Sequence, residues 1–196
     1  MARSQAPVTV MQRDGQGLKV DAELVSGNYF DVLGVEAAVG RILMPADDVT
    51  PGTNPVVVLS YEFWRTHYAA SPGVVGQTIR LNDHPFEVIG VAQQGFRGVE
   101  IGYLPAIFAT VTMKAQITPT YDGLNDARTF FLHVFGRLKP GIGRQSAQAG
   151  LKPYYHALLE EDLDNTGGRI AIVSKALSGK ATVAAGRRRR RAGLPA

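Results

Sequence analysis

The sequence of 196 residues predicts an α+β fold, and three features lead there. Leu18, Val20, Ala22 and Leu24 alternate with Lys19, Asp21 and Glu23, the period of two that gives a strand one buried and one wet face. Leu151, Tyr154, Tyr155, Leu158, Leu159 and Leu163 recur at three- and four-residue spacing, a single apolar stripe on a helix over residues 144–163. The 22 glycines and 11 prolines favour many turns and short elements over a bundle of long helices.

The elements follow in chain order. Residues 8–12 and 18–25 flank Asp14-Gly15-Gln16-Gly17, a turn sequence tolerant of positive φ, and so read as a β-hairpin. Ser26 is placed to cap a short helix in which Tyr29, Phe30 and Leu33 sit three and four apart, and Gly34 closes it. Aromatics at that spacing read as core. Three prolines, Pro45, Pro51 and Pro55, make residues 45–55 a loop. Val56–Leu59 is a short buried strand, and Ser60 caps a helix over 61–69 that buries Phe63 and Trp64 and ends at Ser71-Pro72-Gly73. Residues 78–81 and 86–91 are strands joined by Asn82-Asp83-His84-Pro85. Another strand is expected over 106–113, a loop with weak helical content over 114–127, and an alternating strand over 128–138 stopped by Lys139-Pro140-Gly141. After the long helix, residues 169–174 complete a strand–helix–strand unit.

Composition excludes several kinds of function. With no cysteine there is no disulfide framework, thiolate metal site or cysteine nucleophile. The net charge is +4, but Arg187, Arg188, Arg189, Arg190 and Arg191 supply five positive charges in one run and leave the rest at −1. The folded part therefore has no broad basic field for nucleic acid. The arginine run repels itself and reads as a solvated, disordered tail, with anionic lipid head groups or a nucleic-acid patch as the other readings. No stretch approaches the 18 apolar residues of a membrane span, and Ser4, Gln5, Gln12 and Arg13 interrupt any signal-peptide core. A role outside the cytoplasm would therefore require a longer protein that supplies the membrane segment.

Motifs for chemistry are missing too. Neither a Walker loop nor G-x-G-x-x-G occurs; Gly141-Ile142-Gly143 is the nearest approach and reads as a turn into the long helix. His67, His84, His133 and His156 fall in different elements with no H-E-x-x-H spacing, whereas zinc needs three or four converging ligands. Asp47-Asp48 lacks the alternating ligands and central glycine of a calcium loop, and Glu160-Glu161-Asp162 reads as a solvated helix face. No G-x-S-x-G elbow is present. The expectation is a protein that is not an enzyme, with no catalytic, cofactor-binding or metal residues, no cofactor and no small-molecule ligand.

An ordered set of segments carries a family resemblance. Val25-Ser26-Gly27-Asn28-Tyr29-Phe30-Asp31-Val32-Leu33-Gly34 is followed by Gly40-Arg41 and the acidic pair Asp47-Asp48. Val56-Val57-Val58-Leu59-Ser60-Tyr61-Glu62-Phe63-Trp64 comes next, then Val74-Val75-Gly76-Gln77-Thr78-Ile79-Arg80-Leu81-Asn82 and Phe86-Glu87-Val88-Ile89-Gly90-Val91. Gly95-Phe96-Arg97-Gly98 and Gly136-Arg137-Leu138-Lys139-Pro140-Gly141 complete the series. Together, over residues 20–175, they resemble the MacB-like periplasmic core domain of ABC-transporter permeases, in the duplicated orphan permease branch.

The resemblance implies a porter-like sheet-and-helix subdomain (residues 1–40 and 106–175) interrupted by a small, β-rich inserted subdomain (41–105), with 176–196 as a tail. In that family the module lies on the periplasmic side of the inner membrane, between two membrane helices, and does no chemistry; ATP is hydrolysed on a separate cytoplasmic domain. Its implied partners are the membrane helices of the same permease, a partner protein or a second permease copy. The alternative reading is a stand-alone soluble ligand- or protein-binding module. Against the family pattern, the first membrane helix and the earliest strand and helix are absent, the second membrane helix is not reached, and the arginine run is unusual on the outer face.

Overall fold

The structure, a computed structural model, describes residues 1–12, 15–120, 123–124 and 130–165, without the side chains of 159 and 161–165. Strands β1 (Ala2–Met11) and β2 (Gly17–Val25) form the expected hairpin, in register from Arg3 opposite Val25 to Met11 opposite Gly17. β1 starts earlier than expected because Pro7 does not break it. Ala2 donates its N–H to Ser26 Oγ and accepts from the Ser26 N–H, so even-numbered residues turn their backbone groups toward β2. Thr9 instead bonds Asn82 with both its N–H and its carbonyl. Pro7 shares the parity of Thr9, so its missing N–H faces the outer edge of β1 and no ladder bond is lost.

Helix α1 (Tyr29–Leu33) closes on Gly34 at φ 70. Ser26 does not cap it by a side-chain bond; its hydroxyl donates to Asn28 Oδ1 and holds the start of β1. Strands β3 (Ala37–Gly40) and β4 (Val56–Leu59) follow. In helix α2 (Tyr61–His67) Ser60 caps as expected, its Oγ accepting from the Phe63 N–H at 3.3 Å. The helix stops before residue 69 because Ala69 and Ala70 adopt φ 49 and 52. Strands β5 (Thr78–Leu81) and β6 (His84–Ala92) are joined by Asn82 and Asp83 alone, at φ 47 and 68, a tight hairpin turn. Strand β7 (Ile107–Thr110), helix α3 (Lys114–Ile117), strand β8 (His133–Val134) and helix α4 (Arg144–Asn165) complete the described elements.

Six strands close on themselves. β2 pairs parallel with β7, β7 antiparallel with β4, β4 parallel with β6, β6 antiparallel with β5, and β5 antiparallel with β1, which returns to β2. The β1–β5 seam is short, Val10 opposite Leu81 and Met11 opposite Arg80. β3 adds to β6 and β8 adds to the start of β1. Ala6, Val8 and Val10 of β1, Ala22 and Leu24 of β2, Val57 and Leu59 of β4, Phe86 and Val88 of β6 and Ile107 of β7 pack into one core with Phe63 and Trp64 of α2. The alternate positions Val56, Val58 and Phe108 belong to a second core under Tyr29 and Phe30 of α1. β4 and β7 are thus buried on both faces, which explains their unbroken apolar runs.

Strand β6 could not serve both cores with regular alternation, since Val88 and Val91 join the first and Ile89 the second. A bulge resolves this: Val57 faces Val88 while Val58 faces Gly90, so Ile89 is the extra residue.

β4, β5 and β6, from within 41–105, share one sheet with β1, β2 and β7 from outside it. The physical reason is that the β1–β2 hairpin has a buried face of its own, and its covering strands come from that middle segment. Two compact units are distinguished, Met1–Arg137 and a second beginning at Leu138. The expected strand over 128–138 reduces to His133–Val134, and the expected 106–113 strand ends at Thr110, before a single tight turn over Val111–Met113. In the second unit α4 carries Pro153 inside it, and Leu151, Tyr154 and Leu158 of its apolar stripe are exposed. The strand expected over 169–174, the tail 176–196 and its arginine run lie outside the described residues.

Candidate functional site

Two polar clusters and an open cavity are features of the first unit that could do more than fill space. The first cluster lies on the outer face of the β1–β2 hairpin. Glu23, which the alternation of β2 assigns to a wet face, is only 1% exposed, and Arg3 only 4%. Arg3 Nη1 donates to Glu23 Oε1 at 2.7 Å, and the Tyr29 hydroxyl donates to Glu23 Oε2 at 3.1 Å. Arg3 Nη2 reaches the carboxylate of Glu100, which also accepts from Gln5 Nε2 at 2.9 Å. Arg3 Nε is buried and has no partner.

What buries this cluster is the connection between β6 and β7, residues 93–106. Phe96 inserts into the aromatic group of Tyr29, Phe30 and Phe108, with ring centroids 6.3, 5.8 and 5.6 Å away. The Tyr103 hydroxyl donates to the Ala22 carbonyl at 2.6 Å. Gly98, at φ 80, lies over the Glu23 carboxylate, so that a Cβ there would meet Oε2 at 3.4 Å. Burial pushes the Glu23 carboxyl above its ordinary value, more than the Arg3 and Tyr29 bonds pull it down. Burial, with the Glu23 charge beside it, also pushes the Tyr29 hydroxyl far up, and burial first raises Tyr103 to about 12. Burial is the first cause of all three shifts, the signature of groups sealed from water.

The second cluster gives the acidic pair its role. Asp47 takes Arg41 bidentately, at 2.6 and 2.9 Å, and accepts the Met44 N–H at 3.0 Å and Asn54 Nδ2 at 3.1 Å. Burial works against its carboxylate, but these bonds outweigh it and hold the group below its ordinary value. Asp48 accepts from the Gly27 N–H at 3.0 Å and the Thr112 N–H at 3.1 Å. Both carboxylates are committed to the chain itself.

A cavity of about 820 Å³, open to solvent, lies between α2, the end of β1 and β5, with Phe63, His67, Val74, Ile79 and Arg80 among its walls. His67 sits at the end of α2 with its ring 4.6 Å from Phe63, while His84 starts β6, His133 lies in β8 and His156 in α4. Among the described residues no group of three or more His, Cys, Asp or Glu is placed to hold a metal ion. Gly141 and Gly143 precede α4 with open space around them. Sequence reasoning missed Arg3 and Glu23; the signal was available in the hairpin register, which brings both residues to one end and one face of it.

A family model for the MacB-like periplasmic core domain matches residues 2–154. Among solved structures, the periplasmic region of MacB from Actinobacillus actinomycetemcomitans is similar at a TM-score of 0.53 and 19% identity, covering 80% of this chain and 66% of that one. A domain from Porphyromonas gingivalis assigned as a permease protein gives 0.50 and 18%, covering 78% and 62%. The extracellular domain of the noncanonic ABC-type transporter YknZ from Gram-positive bacteria gives 0.45 and 16%, covering 59% and 56%. The chain thus spans less than two thirds of the length of these three solved domains. The comparison with curated proteins found no match.

Proposed function

The chain belongs to the family of MacB-like periplasmic core domains, and from that membership we propose that it acts as a non-catalytic periplasmic part of an ABC-type permease, transmitting motion or docking a partner during transport. The family is the periplasmic domain of ABC-transporter permeases, and its mixed helix-and-strand fold is the fold found here. The match over residues 2–154 carries the reading. Supporting it, the carboxylates of Glu23, Asp47 and Asp48 are engaged with neighbouring residues of this chain. A closed barrel crossed by short connections suits a body that passes a displacement on without deforming.

In this proposal the domain stands on the periplasmic side of the inner membrane, and its partners are the membrane helices of its own permease, with a partner protein or a second permease copy beyond them. Among the described residues no helix is long and apolar enough to cross a membrane, so the helices would belong to other parts of a longer protein. The deciding experiment measures transport and ATP hydrolysis by the full-length permease before and after deletion of this domain. Loss of transport with ATP binding retained is expected; unchanged transport would overturn the proposal. The open cavity beside α2 is the one observation favouring a ligand-binding module instead, and saturable binding of a small molecule there, with transport indifferent to the domain, would favour that reading.

A further inference from the structure

Within the connection 93–106, two side chains anchor the stretch that covers the Arg3–Glu23 pair. Phe96 is seated among three aromatic rings, and Tyr103 is bonded to the backbone of β2. Between these anchors the tip Gly98-Val99-Glu100-Ile101-Gly102 begins and ends with a glycine in the left-handed region, at φ 80 and 86. No added Cβ at Gly102 would meet a neighbour. Of the three side chains in the tip, Ile101 is fully exposed (103%) and Val99 is exposed. Glu100 alone among them makes polar contact with the barrel, through Arg3 and Gln5.

We propose that residues 98–102 form a latch over the Arg3–Glu23 pair, closed by Glu100 on Arg3 and able to open about its two glycines while the barrel stays folded. The two states differ in a definite way. Closed, one buried guanidinium serves two carboxylates, Glu23 inside and the 41%-exposed Glu100 at the rim. Open, Glu100 is fully hydrated, water reaches Arg3 and Glu23, and Gly98 no longer covers the Glu23 carboxylate. Opening costs little apolar burial, because Ile101 already faces solvent and Val99, 37% exposed, is the one apolar side chain of the tip that is partly covered, so the balance lies chiefly in charge–charge contact and hydration. The charged and titratable groups around the pair are His133, paired opposite Arg3 on β8, Asp21 of β2, Tyr29 of α1, and Arg97, Glu100 and Tyr103 of the connection, with the neutral amide of Gln5 on β1 beside Glu100. The inference rests on this geometry and stands whether or not the transport reading holds.

Trypsin cleavage of the Arg97–Gly98 bond in the intact chain is the test, because a protease must draw the tip into an extended form, and the rate then follows the open population. Glu100→Gln keeps the shape but removes the charge. Cleavage at Arg97 should rise about tenfold in this variant, the size of effect expected for a lost hydrogen-bonded charge, while thermal unfolding followed by Trp64 fluorescence is unchanged. Raising salt to about 1 M should accelerate cleavage of the parent and not of Glu100→Gln, since exposed charge pairs are screened. Hydrogen exchange at residues 99–102 supplies a second readout free of protease preference. Equal cleavage and exchange in the parent and Glu100→Gln, or cleavage that rises only in step with global unfolding in urea, would overturn the latch.

Discussion

Gly40 and Gly90 face each other where β3 crosses the bulged stretch of β6. A Cβ on Gly90 would lie 2.2 Å from the Arg41 carbonyl oxygen and 2.7 Å from that of Val39, and one on Gly40 would lie 2.4 Å from the Ile89 oxygen. Backbone meets backbone here, so no side-chain rotation can make room. Gly90→Ala is expected to destabilise the first unit by about 3 kcal/mol or more, in the range reserved for broken packing, with loss of the cooperative urea transition as the sign. A shift below about 1 kcal/mol would mean that β3 slides aside.

The Arg3–Glu23 pair makes opposite predictions for single and double replacement. Arg3→Ala leaves the Glu23 carboxylate buried without its cation and should cost about 3–5 kcal/mol. Replacing both at once, Arg3→Met with Glu23→Leu, should come back to within about 1–2 kcal/mol of the parent, since apolar side chains of similar volume fill the same space. Chemical denaturation of the parent, Arg3→Met, Glu23→Leu and the double replacement reads the coupling directly, and simple additivity would refute it.

Glu23 also sets a sign for pH dependence. Its folded pKa is raised above the ordinary 4.5, chiefly by burial, so the folded state takes up a proton there more readily than the unfolded chain. The contribution to stability is complete below pH 4.5 and fades as pH rises through the folded value. Glu23→Gln should flatten this decline in urea-unfolding free energy between pH 4.5 and 7; an unchanged slope would place its cause elsewhere.

Asp47 acts in the other direction. Despite burial, the Arg41, Met44 and Asn54 bonds hold its folded pKa below the ordinary 3.8, so its stabilisation is present above pH 3.8 and is lost as pH falls through the lower, folded value. Asp47→Asn should remove that acid-side loss and lower stability at pH 7, measured by thermal unfolding across pH 2–7.

The cap of α2 offers a calibrated case. Ser60→Ala removes the acceptor of the Phe63 N–H and should cost about 1 kcal/mol, with Ser60→Asp restoring most of it. Thermal unfolding of the three proteins decides, and equal midpoints would show the cap contributes nothing.

Local chemistry determined much of this protein from its sequence. Alternation at residues 18–24 fixed β2, the run Val56-Val57-Val58-Leu59 fixed β4, Ser60 fixed the start of α2, and Gly34 fixed the end of α1, because each depends on neighbours within a few residues. The ordered motifs also sufficed to place the chain in its family. Only the tertiary structure decided how strands from 41–105 join those outside it, since parallel pairing of β2 with β7 and β4 with β6 links residues some 30 to 85 positions apart with no local signature. The same holds for Glu23: its neighbours on β2 place it in water, and only the connection 93–106 folding across the hairpin buries it against Arg3. Burial of a charge depends on what covers it, and the cover here comes from a distant part of the chain.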